Sequence, residues 1–269
     1  MSKIFTYELK RAMNPNVIFA VIGVVFCICF DSWNDLIHAI KSSDTSFCVY
    51  YIMHNSAFGG MCRSYILPIF AALPFASSFC EERNNNAVAF IVSREGRRRY
   101  SVVKYIVNAI AGGLTVAIGT ALLLLSLSTK FQMTNGYYET SGIEDIFHKW
   151  LAINHPFQYG LAEIALGFMR GMLWAGAAMF ISLYITDKLV ITMFPFLGSY
   201  VIVRVSQMLS IDDRYRFDFI LLGRTVIKDS GYTVIIATVI SIILVSIIGY
   251  IFTWKMVRGL KDGMFYESR

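Results

Sequence analysis

Charged residues are scarce in this chain. Of its 269 residues, 16% are Asp, Glu, Lys or Arg, whereas 56% are hydrophobic. Soluble domains carry about 25% charged residues. The mean hydropathy is +0.57. A chain of this composition cannot cover its surface with charge. The composition therefore excludes an ordinary soluble globular protein and indicates that lipid surrounds much of the chain.

The motifs of common catalytic sites are also missing. The sequence has no GxxxxGK[ST] loop for ATP, no GxSxG turn for a nucleophilic serine and no HExxH pair for zinc. The chain has only four histidines, all in predicted outer loops and none at ligand spacing from another. We therefore expect that the chain is not an enzyme and binds no cofactor or metal of its own.

Cysteine is sparse, and its five positions follow no zinc or redox spacing. Cys27 and Cys29 fall in an apolar run, where small buried side chains are the simplest interpretation. Cys48 and Cys62 fall in one predicted outer loop. The sequence leaves open whether these two form a disulfide.

Long uncharged runs are present instead. Tyr105–Leu127 and Tyr232–Trp254 carry no charge, and each exceeds the ~20 residues with which a helix crosses the hydrocarbon layer. With the less uniform runs, they predict an all-α, polytopic membrane protein that forms one transmembrane domain over residues 1–269. The six predicted spans are about 17–33, 64–80, 105–127, 161–186, 189–209 and 232–254. The first has a short apolar core, and the second contains Pro68 and Pro74, which kink helices.

The basic residues predict the orientation of these spans. More lysines and arginines fall in the segments on the side of the termini than in the longer loops opposite. The positive-inside rule then places both termini in the cytoplasm, in a multi-pass protein of the cytoplasmic membrane. We interpret the net charge of +6 by this rule and by contact with anionic lipid, and not by nucleic-acid binding. Lys3–Met13 is amphipathic, which predicts a helix in the membrane interface.

Three charges fall inside predicted spans. Glu163 and Arg170 stand about two turns apart on one face of the fourth span, and Arg204 lies in the fifth. Charges in lipid are costly and usually face a bundle interior or a wet cavity. They could line a transport path, or they could form a structural pair in which Arg204 is the partner of Glu163. Gly167 and Gly171 form a GxxxG pattern that favours close helix packing.

The most charged segment, Glu81–Lys104, lies between the second and third spans. Its middle, Ala87–Val92, is apolar, with acidic residues before it and arginines after it. The positive-inside rule explains the basic residues but not the apolar stretch. A short helix that is presented to a partner protein explains both.

These segments resemble the permease subunit of type-2 ATP-binding-cassette exporters. Tyr7–Arg11 has the sequence YELKR, which is similar to a motif in the interfacial N-terminal helix of that family. The second similarity is to its cytoplasmic coupling helix between spans two and three, in Glu81-Glu82, Ala87–Val92, Ser93-Arg94, Arg99-Tyr100 and Lys104. Asn84–Asn86 departs from the family, which often has a glycine and a threonine there.

The resemblance implies a separate ATPase subunit that binds ATP and Mg²⁺. The expected docking residues are Glu81, Glu82, Phe90, Ser93, Arg94, Arg97, Arg98 and Arg99. It also implies a second permease chain, identical or homologous. The cargo would be amphipathic, such as a peptide, a drug or a lipid-like molecule. Two alternatives remain: a non-transporting sensor or immunity protein, and an ion-coupled carrier in which Glu163 titrates.

Overall fold

The chain is all-α over the residues that the computed structural model describes: 2–41, 48–58, 60–134, 146–212, 215–223 and 232–265. The helices in chain order are α1 (Ser2–Ala12), α2 (Asn16–Asp31), α3 (Trp33–Lys41), α4 (Val49–Phe58), a π-helix (Cys62–Ile66), α5 (Leu67–Ala72), α6 (Ser78–Asn84), α7 (Ala87–Glu95), α8 (Arg97–Ser128), α9 (Ile146–Asn154), α10 (Pro156–Ile181), α11 (Lys188–Met208), α12 (Phe217–Leu221) and α13 (Tyr232–Lys261).

Four of these helices, α8, α10, α11 and α13, are long and apolar enough to cross a membrane. Among the described residues the number rises to five if α1 and α2, which are bent by 54°, count as one broken span. The four coincide with the last four predicted spans. The structure therefore supports a multi-pass helical membrane protein, and four of the six predicted spans are confirmed as helices of sufficient length.

The bend between α1 and α2 has a local cause. Proline at position 15 ends the regular hydrogen bonding of α1. The side chain of Asn14 accepts a hydrogen bond from the backbone N–H of Asn16 at 2.9 Å and donates one to the carbonyl of Pro74 at 3.1 Å. The turn is thus tied to the middle of the predicted second span. Helix α2 is about 24 Å long at 1.5 Å per residue.

The predicted second span, 64–80, is not one continuous helix. It is built from the π-helix, α5, a run of turns at 73–77 and α6. Pro68 lies where the π-helix passes directly into α5, within one helix from Cys62 to Ala72. Pro74 lies in the turns, so the predicted kink at this position is a complete break of the helix.

Helices α8 and α10 pack in backbone contact at the centre of the bundle. A Cβ added to Gly171 would lie 2.4 Å from the carbonyl oxygen of Gly112, and one added to Gly167 would lie 3.2 Å from Thr120 Oγ1. The side-chain amide of Asn108 also donates to the carbonyl of Ala175 at 2.7 Å. The GxxxG pattern therefore packs within this chain, against α8.

The first and last described residues of the chain lie at the same end of the helix bundle. The ring of Phe79, in α6, packs edge-on against Phe265 at 5.4 Å between centroids. Lys188 at the start of α11 lies 3.2 Å from Glu81. Helices α1 and α7 and the beginning of α8 lie at this end too, so the first and last described segments share one end of the bundle.

Candidate functional site

The predicted short helix after the second span is present as α7. Left-handed backbone conformations separate it from its neighbours: Asn86, before α7, has φ of 54°, and Gly96, after it, has φ of 84°. Gly96 adopts its positive φ without the steric cost that a side chain brings. The segment Asn84–Asn86, where the sequence departs from the exporter pattern, forms the turn between α6 and α7.

Helix α7 buries one face and exposes the other. Val88 and Val92 are buried, whereas Phe90 is 77% exposed. The polar and basic side chains that follow Phe90 in the sequence, Ser93, Arg94 and Arg97–Arg99, are exposed as well. We define the α7 surface as the exposed residues Phe90, Ser93, Arg94, Arg97, Arg98 and Arg99. A large exposed aromatic ring among cations is typical of a binding site more than of a solvated loop.

Glu81 and Glu82, the remaining predicted docking residues, do not belong to the α7 surface. Glu81 is partly exposed and bridges Lys188 at 3.2 Å and Arg11 at 3.6 Å. Glu82 is only 3% exposed. A buried side chain cannot contact a docked partner. Glu82 is therefore removed from the predicted docking residues, and it belongs to a buried cluster instead.

Two carboxylates and two cations form this buried cluster, together with a tyrosine. Lys104 Nζ lies 2.6 Å from a Glu82 oxygen and 3.0 Å from a Glu8 oxygen. Arg11 forms an ion pair with Glu82, and the Tyr100 hydroxyl donates a hydrogen bond to the other Glu82 oxygen. We call these five residues the Glu82 cluster. It joins α1, α6 and α8 at a point where the formal charges cancel.

The pKa of Glu82 reflects this balance. Burial raises the pKa of this carboxyl, but the charge and hydrogen bond of Lys104, the Tyr100 hydroxyl and Arg11 lower it. The interactions with Lys104, Tyr100 and Arg11 together outweigh burial, so the pKa of Glu82 lies below its ordinary value. The carboxylate is therefore ionised at neutral pH, as its role as a buried acceptor requires.

A cleft of about 400 Å³ lies between α1 and α7, beside the α7 surface. Its lining residues are Ile4, Tyr7, Glu8, Phe90, Ile91, Arg94 and Glu95. The cleft thus extends from the exposed ring of Phe90 to a carboxylate of the Glu82 cluster. A partner side chain that enters it would touch both α7 and the N-terminal helix.

A second polar cluster lies at the opposite end of the bundle. Glu163 is 2% exposed, and its carboxylate lies 3.2 Å from Arg63 Nη2. Arg170 donates a hydrogen bond to the backbone carbonyl of Arg63. Asp31 accepts hydrogen bonds from the backbone N–H groups of Cys62 at 3.0 Å and Arg63 at 2.6 Å. These contacts fasten the π-helix to α2 and α10.

The three predicted transport-path residues therefore do not lie together: two are in this second cluster and one is outside it. Glu163 and Arg170 meet around Arg63, and the adjoining cavity at Arg170 is about 20 Å³, which is room for about one water molecule. Arg204 is exposed on α11, 3.3 Å from both Tyr200 and Gln207. The alternative in which Arg204 pairs with Glu163 is not observed, because Arg63 pairs with Glu163.

Other predicted site chemistry can be placed as well. The sulfurs of Cys48 and Cys62 are not joined in a disulfide. Within the described ranges, no group of three His, Cys, Asp or Glu residues is arranged to hold a metal ion. The chain matches no protein-family model, no curated protein and no solved structure.

Proposed function

We propose that this chain is the permease subunit of an ATP-driven exporter and that a separate ATPase subunit docks on the α7 surface. The observation that carries the proposal is that the exposed α7 surface lies next to the buried Glu82 cluster. Phe90 offers an exposed apolar contact and lines one cleft with Arg94, and Glu8 of the Glu82 cluster lines the same cleft. The resemblance to type-2 ATP-binding-cassette permeases supports the same assignment.

The geometry suggests how movement of the ATPase would reach the spans. Two residues, Asn85 and Asn86, connect α6 to α7, and one residue, Gly96, connects α7 to α8. Lys104 joins α8 to Glu8 in α1 and to Glu82 in α6. A displacement of α7 therefore moves α6, α8 and α1 together. Because α8 contacts the α10 backbone, the displacement would continue into the centre of the bundle.

The working unit would be two permease chains and two ATPase subunits. The six-span topology remains part of the proposal, with the π-helix, α5 and α6 as a broken second passage and α1 in the interface. Both termini and α7 then face the cytoplasm, in agreement with the basic residues at that end of the bundle. ATP and Mg²⁺ are bound by the partner, and the cargo is an amphipathic molecule.

Co-purification tests the proposal. The tagged chain is extracted in mild detergent from its native cell, and the proteins that accompany it are identified. We expect a P-loop ATPase with the wild type and with the control Lys10→Glu, which reverses an exposed charge on α1. Phe90→Asp and Arg94→Glu should lose it, and both change exposed residues, so the fold is retained. A wild-type chain without an ATPase, or an ATPase that both α7 variants retain, contradicts the proposal.

The ion-coupled carrier is a second candidate, favoured by one observation: Glu163 is a buried carboxylate in a helix of spanning length. A carrier requires transport that stops with Glu163→Gln and is indifferent to ATP. The exporter requires transport that depends on ATP and on Arg94. A sensor or immunity protein predicts neither dependence, so the same two variants separate the three functions.

A further inference from the structure

A long groove separates α8 from the C-terminal part of α13, on the outer surface of the bundle. Its volume is about 960 Å³. One wall includes Val102 and Ile106 of α8, and the other includes Ser246, Thr253 and Val257 of α13. It is separate from both polar clusters and from the cleft beside α7, and it shares one residue, Arg98, with the α7 surface.

Small residues on one face of α13 create the groove. Ser246, Gly249 and Thr253 recur at spacings of three and four, so they line the same face of the helix. Tyr105 forms the floor: its hydroxyl donates to the carbonyl of Val245 at 2.8 Å, and a Cβ on Gly249 would lie 2.5 Å from its ring. The packing of α8 against the small residues of α13 therefore forms the groove, whose α13 wall we call the trough.

The groove has the length of a lipid in one leaflet. Its lining on α13 extends from Val245 to Lys261, which is about 24 Å at 1.5 Å per residue. Half of the ~30 Å hydrocarbon core is about 15 Å. The groove can thus hold one acyl chain and still reach into the headgroup layer.

Its two ends differ in charge as a lipid site requires. The inner part is uncharged, whereas Arg98, Arg258 and Lys261 line the end near α7, with Asp262 as the one acidic residue among its lining. The exposed ring of Trp254 lies between the two parts, at the level where amphipathic aromatic residues meet the membrane interface. Basic pockets between spanning helices are typical sites for anionic headgroups.

We propose that this groove binds an anionic phospholipid, with its phosphate at Arg98, Arg258 and Lys261 and one acyl chain along the trough of α13. This goes beyond the exporter proposal and does not depend on it. A second copy of the chain fits less well, because a two-fold contact places the same patch on both partners and brings like charges together.

Native mass spectrometry tests the lipid site. The chain is released from detergent micelles that contain equal amounts of phosphatidylglycerol and phosphatidylcholine, and bound lipid is counted. We expect wild type to retain phosphatidylglycerol selectively. Arg258→Gln with Lys261→Gln should weaken retention about tenfold or more. The control Lys255→Gln should retain it, because Lys255 contacts Tyr184 on the other side of α13.

A second variant tests the acyl chain independently of charge. Ser246→Phe fills the trough and should lower retention while all three cations remain. Equal binding of both lipids by wild type, unchanged binding in the double variant, or displacement of the lipid by millimolar inorganic phosphate overturns the proposal. So does a homodimer that cross-links through a cysteine at position 246, since a second copy would then occupy the groove.

Discussion

Replacing Lys104 by methionine should destabilise the chain strongly. The ammonium group of Lys104 is fully buried, 3.0 Å from Glu8 and 2.6 Å from Glu82. Methionine keeps much of the volume but removes the charge, so the Glu82 cluster is left with two carboxylates and one cation, Arg11. Removing one partner of a buried ion pair typically costs ~3–5 kcal/mol. We expect a loss of free energy of unfolding in this range.

A second substitution separates charge balance from packing. Glu8→Gln in the Lys104→Met background restores neutrality, since Glu82 then faces Arg11 and the Tyr100 hydroxyl. Relieving an unpaired buried charge should recover about 1–3 kcal/mol. A packing defect alone would instead make the double variant as unstable as the single one, or more so.

Urea unfolding of the purified chain in mild detergent, followed by tryptophan fluorescence, measures both effects. Lys188→Met is the matched control. Lys188 lies 3.2 Å from Glu81, but the two side chains are 58% and 35% exposed, so this pair should contribute only ~0–1 kcal/mol. A Lys104→Met variant that loses no more than the control, or a double variant without recovery, refutes the reasoning.

Three further predictions concern the packing and the two clusters. Gly171→Leu should prevent assembly of a monodisperse protein by size exclusion, because its Cβ would meet the α8 backbone at 2.4 Å; Gly160→Ala, with open space around it, should not. Lowering the pH should remove the stability due to Glu82: it is present above the ordinary pKa of a glutamate, ~4.3, and is lost as pH falls through the lowered folded-state pKa. Glu82→Gln should flatten that part of the curve of unfolding free energy against pH, and an unchanged curve contradicts it. A double-mutant cycle of Arg63→Gln and Glu163→Gln should give a coupling energy above ~1 kcal/mol in urea unfolding, and additive losses contradict the pair.

The long spans were predictable because their information is local. Tyr105–Leu127 and Tyr232–Trp254 carry no charge, and both lie within observed helices. The break in the predicted second span was predictable only in part. Pro68 and Pro74 both suggested a kink, but only Pro74 falls where the helix ends, since Pro68 lies within the helix Cys62–Ala72, next to its π-helical turn.

The partners of the buried charges were not predictable from spacing. Glu8 and Lys104 are 96 positions apart, and Arg63 and Glu163 are 100 apart. Nothing in local periodicity links such pairs. Arg63 was assigned to an outer loop and Arg204 to a span, so the structural pairing was considered with Arg204 and not with Arg63. The YELKR sequence did contain Glu8 and Arg11 of the Glu82 cluster, and the buried face of α1 is what places them there.

Site-specific photo-cross-linking at position 90 in native membranes tests the docking of an ATPase on the α7 surface most directly. A photoreactive residue replaces Phe90, and a control replaces Tyr215, which is exposed beside α12 on a different part of the chain. We expect a cross-link from position 90 to a P-loop ATPase and none from position 215. Cross-links from position 90 to lipid alone, or no ATPase among its products, would contradict it.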